Sequence, residues 1–331
     1  MIVSRAPVRF SLGGGGTDLP TYSREHGGFL VAAAVDQYVS LCVAKRFYNN
    51  IRLAYSKTEL VNSVDEIEHR IFREALRFVK IEGGLELHSL ADVPSNSGLG
   101  SSSSFTVALL NGLHAIRREF VGTKQLAEEA CAIEIDRLKE PIGKQDQYIA
   151  AFGGITAFTF EKDGSVHVER LAIKDDVIDE LERSLLIFYS GVERSASTVL
   201  SEQAKTVKAN KDDAVQRMHR IKEMGYETRK ILLSGEIDRY GELLHEHWMN
   251  KRKLAANMTD SVIDEHYEAA RQAGAIGGKL MGAGGGGFFM FYVRPTERRH
   301  VYDTLTARGL RFMRFRFDFD GARIVANFHR S

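Results

Sequence analysis

Hydrophobic and polar positions near the start of the chain follow the rhythm of strands, over residues 6–12, 29–45 and 51–55. The rhythm then becomes helical. Ile67, Ile71, Ala75 and Phe78 share one face of a segment whose other side carries Glu68, Arg70, Arg73 and Arg77, and Gly83-Gly84 closes it. Leu85, Leu87 and Ser89 alternate with Glu86 and His88, predicting a short strand, and helices are predicted over 101–118 and 123–137. Glu140-Pro141-Ile142-Gly143 breaks the pattern before Lys144-Gln145-Asp146-Gln147, where another short helix is predicted, and strands resume over 154–160 and 166–171. Near 171–179 the texture shifts. A strand at 185–189 precedes a long polar-rich helical region, 196–273, and strands at 277–281 and 287–293, a helix at 296–307 and strands at 310–319 and 322–328 complete the chain. The mixture is α+β rather than a regular βα alternation, and it predicts two lobes, residues 1–175 and 176–331.

A length of 331 residues exceeds one compact domain, which agrees with two lobes and a cleft between them. Lys and Arg number 45 against 44 Asp and Glu, a net charge of +1 with no long run of one sign, which argues against nucleic-acid and membrane-surface partners. Any anion must therefore be gripped locally. The two cysteines, Cys42 and Cys131, lie in apolar stretches without metal-ligand spacing, which argues against a disulfide framework and fits a reducing, cytoplasmic setting. No N-terminal signal pattern is visible, and the longest apolar stretches, 29–35 and 288–293, are too short to cross a bilayer, so a soluble protein is expected.

Three glycine runs carry the candidate chemistry. Pro94-Ser95-Asn96-Ser97-Gly98-Leu99-Gly100 leads through Ser101, Ser102, Ser103 and Ser104 into an apolar helix. Glycines allow tight turns and close backbone approach, and a helix starting there aims unpaired amides and its positive dipole end at an anion. Hydroxyls add phosphate or magnesium ligands, so a nucleotide-phosphate cradle is the leading reading and a serine-capped helix start its rival. The earlier run, Gly13 to Gly16 followed by Thr17 and Asp18, could approach a small polar ligand, with Asp18 bonding hydroxyls, or could be a capped turn. The late run, Gly282 to Gly287 interrupted by Ala283, formally matches a dinucleotide fingerprint, but the strand-like 288–293 that follows excludes it, and Gly278-Lys279-Leu280 fails the Walker pattern. His245-Glu246-His247 lacks zinc-helix spacing. Phosphoryl transfer needs a metal ligand besides a hydroxyl, and an acid or cation near the acceptor. Glu134 could hold magnesium, Asp146 could orient or deprotonate an acceptor hydroxyl, and Arg9 could balance charge.

Taken together, these residues resemble the GHMP kinases, the superfamily of galactokinase, homoserine kinase, mevalonate kinase and phosphomevalonate kinase. The resemblance spans nearly the whole chain. It rests on three motifs in order: Ala6-Pro7-x-Arg9, Pro94 to Ser102, and Lys279 to Gly287. It implies a two-lobed α+β fold, with an N-terminal lobe like ribosomal protein S5 domain 2 and a ferredoxin-like C-terminal lobe. ATP and Mg2+ are implied, with Pro94, Gly98, Leu99, Gly100 and Ser101 to Ser104 binding ATP, Ser102 and Glu134 holding the metal, and Asp146 and Arg9 catalytic. Asp18 falls on the sugar-hydroxyl-binding aspartate of galactokinases, although Gly15 and Gly16 replace their Glu-His pair, which speaks against galactose itself. The chain is most similar to the branch of kinases acting on D-glycero-D-manno-heptose 7-phosphate, which implies ATP-dependent phosphorylation of an anomeric hydroxyl to give the 1,7-bisphosphate. Gly14, Gly15, Gly16, Thr17, Asp18, Lys144, Arg194, Gly284 and Gly285 are then the candidate substrate contacts, and Lys144, Arg194, Lys251 and Arg252 the candidate grips for an acceptor phosphate. Rival readings are a fucose or galactose-like kinase and a non-catalytic sugar and nucleotide sensor. The expected partners are a small sugar phosphate and ATP, for a monomer or homodimer.

Overall fold

Ile2–Gly13 forms β1, and from Ala6 onward all its residues are buried, as the apolar run requires. A computed structural model describes residues 1–191, 211–254, 259, 261–282 and 284–328. β1 pairs antiparallel with β2 (Gly28–Lys45), and the register shifts between Pro7 and Val8, where proline cannot donate to the ladder. The long β2 serves two neighbours. Its Val39–Lys45 half pairs with β5 (Leu85–Ala91), and Gly28–Ala33 pairs with β6 (Ile155–Phe160), beside which lies β7 (Val166–Arg170). The hairpin β3 (Ile51–Ala54) and β4 (Thr58–Val61) completes that edge through β5.

The opposite edge holds a finding the sequence did not foresee. Residues Arg323–Asn327, placed by the sequence with the second lobe, form β12 and pair with Ile2–Arg5 of β1, giving the first sheet the order β12-β1-β2-β5-β3-β4. β12 stops at Arg5, so the rest of that edge of β1 is free for the central glycine loop, and the Arg9 amide donates to the Leu99 carbonyl at 3.0 Å. The second sheet has the order β11-β8-β10-β9, from β8 (Leu185–Tyr189), β9 (Ala275–Leu280), β10 (Phe288–Val293) and β11 (Arg311–Met313). β11 is far shorter than the strand predicted at 310–319; beyond it Phe317 makes only an isolated bridge to Val35.

α1 (Pro20–His26) and α6 (Asp175–Ser184) form where no helix is predicted, whereas α2 (Arg70–Phe78), α3 (Ser101–Ile116), α4 (Thr123–Cys131) and α5 (Gln145–Phe152) fall on predicted helical segments. The helical region predicted at 196–273 contains α7 (Lys211–Ser234), α8 (Asp238–Lys251) and α9 (Ser261–Gln272), and α10 (Arg298–Ala307) follows. α4 does not run unbroken to 137 but widens into a π turn, Ala132–Arg137, a local underwinding often found at functional sites. α3 is apolar on nearly every side and lies in the main core. No helix among the described residues is long and apolar enough to cross a membrane.

Candidate active site

Arg9 and Ser11 are the polar i, i+2 pair at the end of an otherwise apolar stretch of β1, and the period of two sends both to one face. That face opens on a cavity lined by Arg9, Ser11, Gly15, Gly16 and Asp18, by Asn96 to Gly98 and Gly100 to Ser103, and by Ile142, Gly143, Gln145, Asp146, Lys251 and Gly282. All three glycine runs therefore reach one cavity wall. Arg9 makes a bidentate pair with Asp146, Nε to Oδ1 at 2.8 Å and Nη2 to Oδ2 at 2.7 Å, while Nη1 donates to the Gly98 carbonyl. A planar fork with two parallel bonds fixes the carboxylate's orientation as well as its position. The pair ties three elements together at the point where chemistry would occur: β1, the central loop and the start of α5.

The central loop takes its shape from Gly98 and Gly100, at φ +80° and +76°. A side chain on Gly100 would stand 2.9 Å from Asp146 Oδ2, so glycine is needed both for the left-handed turn and for the room. α3 begins at Ser101 with no side-chain cap, leaving its first amides to a ligand. Ser102 Oγ donates to Glu134 Oε1 at 2.6 Å, and Gln147 Nε2 donates to Glu134 Oε2 at 2.7 Å. Glu134 sits in the π turn, 1% exposed, and burial pushes its carboxyl above the usual carboxylate range while Ser102, Gln147 and Ser103 pull it back. A desolvated carboxylate beside a hydroxyl fits a hard dication better than it fits its present neutral partners. Among the described residues no three His, Cys, Asp or Glu side chains cluster as metal ligands.

On the other side of Asp146, Asp18 Oδ2 accepts the Gln145 amide at 3.0 Å and is also raised by burial. Gly143 lies so close that a Cβ there would collide with the Asp18 carboxylate. Ser11 Oγ and Gln145 Oε1 line this end of the cavity, buried and without hydrogen-bond partners among the described residues, as groups awaiting a hydroxylated ligand would be. Neither was singled out from sequence, although the polar i, i+2 pattern of Arg9 and Ser11 marks one of them.

Several candidates stand elsewhere. Thr17 is fully buried, its hydroxyl 2.8 Å from the Gly14 carbonyl and 2.9 Å from that of Phe29, where it fastens the first glycine loop to β2. Gly14 packs on Phe29 and Leu30 behind that loop. Ser104 reaches the Pro7 and Gly100 carbonyls at 2.8 and 3.1 Å, and Leu99 is fully buried, so both support the loop from beneath; Pro94 is exposed and outside the cavity lining. Lys144 Nζ donates to the Gly164 carbonyl at 2.6 Å, away from the cavity, and Arg252 pairs with Asp264 at 2.6 Å. Gly284 and Gly285 are buried beyond the lining, which takes Gly282 from that run instead. Arg194 lies outside the described residues. His245 and Glu246 bond Tyr267 and Arg220, so the three-residue His-Glu-His run does not converge. Lys251, named from sequence only as one of four cations, is on the cavity wall, 8% exposed.

Residues 62–154 match the family of GHMP kinases N terminal domains, and residues 228–310 match GHMP kinases C terminal. A D-glycero-alpha-D-manno-heptose 7-phosphate kinase of Campylobacter jejuni is 29% identical over 92% of this chain and 93% of its own. A galactokinase of Pyrococcus furiosus is 27% identical over 92% of both chains. Among solved structures, a D-glycero-D-manno-heptose 1-phosphate kinase of Bacteroides thetaiotaomicron superposes with a TM-score of 0.82 at 28% identity, over 99% of this chain and all of the other. With both family domains in order, on a fold shared from end to end with sugar kinases, the chain belongs to the GHMP kinase family and is an ATP-dependent sugar kinase.

Proposed function

We propose that the chain phosphorylates the anomeric hydroxyl of D-glycero-D-manno-heptose 7-phosphate, giving the 1,7-bisphosphate and ADP. The observation that carries this reading is the arrangement of two acidic stations about one cavity: Ser102 on the wall with Glu134 hydrogen-bonded behind it, and Asp18 and Asp146 on the wall at the other side. The phosphates of ATP would rest on the loop from Gly98 to Ser103, held by main-chain amides rather than by a Walker lysine. Ser102 and Glu134 would hold Mg2+, which when bound neutralises charge on the phosphates. Asp18, Ser11 and Gln145 would receive sugar hydroxyls. Asp146, held by Arg9, would orient the attacking hydroxyl and take its proton as the new O–P bond forms and the bond from the γ-phosphorus to the bridging oxygen breaks.

Relatives described as galactokinase and as bifunctional fucokinase/GDP-fucose pyrophosphorylase favour a second reading, an unphosphorylated hexose acceptor. The two heptose kinases also differ in the phosphate position that their descriptions give, 7 in one and 1 in the other. A coupled ADP-release assay across heptose 7-phosphate, heptose 1-phosphate, free heptose, fucose and galactose separates these. The highest kcat/KM is expected for heptose 7-phosphate, with turnover by Asp146→Asn reduced by about 10²–10⁴-fold and ATP binding retained. Preference for a free hexose, or for the 1-phosphate, would overturn the substrate, and near-normal turnover by the variant would overturn the role of Asp146.

A further inference from the structure

Among the described residues, the cavity wall contains one cation that forms no ion pair with a carboxylate. Arg9 is taken up by Asp146, whereas Lys251, the last residue of α8, has its Nζ on the Gly282 carbonyl at 2.5 Å. More than nine-tenths of Lys251 is buried, and it lines the same cavity. Behind it stands a second buried amine, Lys279 of β9, whose Nζ donates to the Leu12 carbonyl at 3.1 Å. One helical turn before Lys251 on the same face of α8, His247 is buried, and neither ring nitrogen has a hydrogen-bond partner among the described residues. A buried corner of basic groups facing an open cavity is costly to charge unless an anion completes it.

Which anion follows from the neighbours. The charges that act on Lys251 across the cavity are Arg9 of β1 and Asp18 beyond the first glycine run, the station of the sugar hydroxyls, rather than Glu134. We infer that Lys251 forms an anion subsite for the phosphate monoester already present on the acceptor, so that this lysine makes the enzyme select phosphorylated over free sugars. The inference rests on the phosphosugar reading above. Burial first, then Arg9, draws the Lys251 ammonium down to about 8, with Asp18 opposing, while Lys279 and His247 are driven well below their usual values. The groups facing the lysine are thus Arg9, Asp18, Lys279 and, from its own helix, His247, with Asp146 in the same cavity.

Two measurements test the subsite. In the first, Lys251→Met is compared with wild type on heptose 7-phosphate and on free heptose. Losing one charge-assisted contact is expected to lower kcat/KM for the phosphorylated acceptor by about 10- to 100-fold, while kcat/KM for free heptose and KM for ATP stay within about twofold. Equal loss on both acceptors, or a raised KM for ATP, would overturn the inference by giving the lysine a general or a donor-phosphate role. The second uses wild type alone and so does not depend on the variant folding. Groups that serve both acceptors cancel in the ratio of kcat/KM for phosphorylated over free heptose, and that ratio is expected to fall as pH rises through about 8. A flat ratio overturns the subsite. Wild type that does not turn over heptose 7-phosphate at all refutes the substrate reading itself, an outcome distinct from wild type and variant using it equally well.

Discussion

At the scale of single residues, Glu134 shows how the site sets function against stability. Its carboxyl is raised by burial, so the folded chain binds a proton there more tightly than the unfolded chain does. As pH climbs through the unfolded value toward the folded one, the unfolded state releases its proton first and folding stability declines; above the folded value the whole deficit is present. Glu134→Gln keeps the shape and the hydrogen-bonding reach toward Ser102 but removes the charge. In the metal-free protein it is expected to stabilise the fold at pH 8 by on the order of 0.5–2 kcal/mol, with a smaller gain at pH 5, as read by thermal unfolding. Mg2+-dependent turnover of the same variant is expected to fall by at least about 100-fold. A variant less stable than wild type at pH 8 would mean that Ser102, Gln147 and Ser103 more than repay the burial of the carboxylate. The Arg9–Asp146 pair makes the contrasting case, because each charge there already has its partner and the bidentate geometry supplies orientation.

At the scale of elements, α3 is fixed at both ends by polar contacts while its body is apolar. Its N-terminus carries the cavity loop. Near its C-terminus His114 bridges to α4 and the turn between them, Nε2 2.7 Å from Glu129 and Nδ1 2.9 Å from Glu119. With a carboxylate at each ring nitrogen, the doubly protonated imidazolium is favoured, and the hydrogen bond to Glu129 is the largest cause of the raised histidine value. The contribution to stability is therefore complete below the unfolded value of 6.5 and is lost as pH rises through the higher folded value. The urea midpoint of wild type is expected to fall between pH 6.5 and 9 by more than that of His114→Gln, whose profile should be flatter; parallel profiles would show that the bridge has no energetic weight. How much of this was legible in the sequence depends on what each element answers to. α2, α3 and α5 announce themselves through local periodicity and glycine or proline punctuation, and the central motif and the Glu134–Asp146 pair of positions follow from them. The strand predicted at 322–328 appears as β12, but its partner is not legible, because β1 is separated from it by almost the whole chain and pairing at that distance leaves no local pattern. The strand predicted at 310–319 shrinks to Arg311–Met313 because its Arg/Phe alternation has a sheet neighbour, β8, over only three residues. Composition also cannot say which hydroxyl of a serine run faces the ligand: Ser102 reaches Glu134 while Ser104, two positions on, points into the support beneath.

At the scale of the whole molecule, the two sheets meet along a seam of bare backbone, and the cavity inherits its dimensions from that seam. A Cβ on Gly282 would lie 2.6 Å from the Gly98 Cα, one on Gly98 would lie 2.7 Å from the Met281 carbonyl, and one on Gly287 would strike the Ser97 carbonyl. The seam thus holds the central loop against the late glycine run at a distance no side chain permits. The two charged groups that bracket the acceptor end depend on it, since Arg9 donates to the Gly98 carbonyl and Lys251 to that of Gly282. Gly282→Ala adds one methyl at φ +73°, and either the left-handed turn must relax or the central loop and the late glycine run must part. The expected cost is about 1–3 kcal/mol in urea unfolding, with KM for ATP and for the sugar both raised, because one wall of the cavity moves relative to the other. Gly122→Ala is the matched control: its Cβ meets nothing within 4 Å, its φ is −71°, and both constants should stay unchanged. If Gly282→Ala instead raised only one KM, the late glycine run would be a local contact for that substrate. A rise in both would make it the element that sets the spacing of the two sheets, and would explain why backbone contacts of Gly98, Gly282 and Gly287, rather than side chains, close this side of the site.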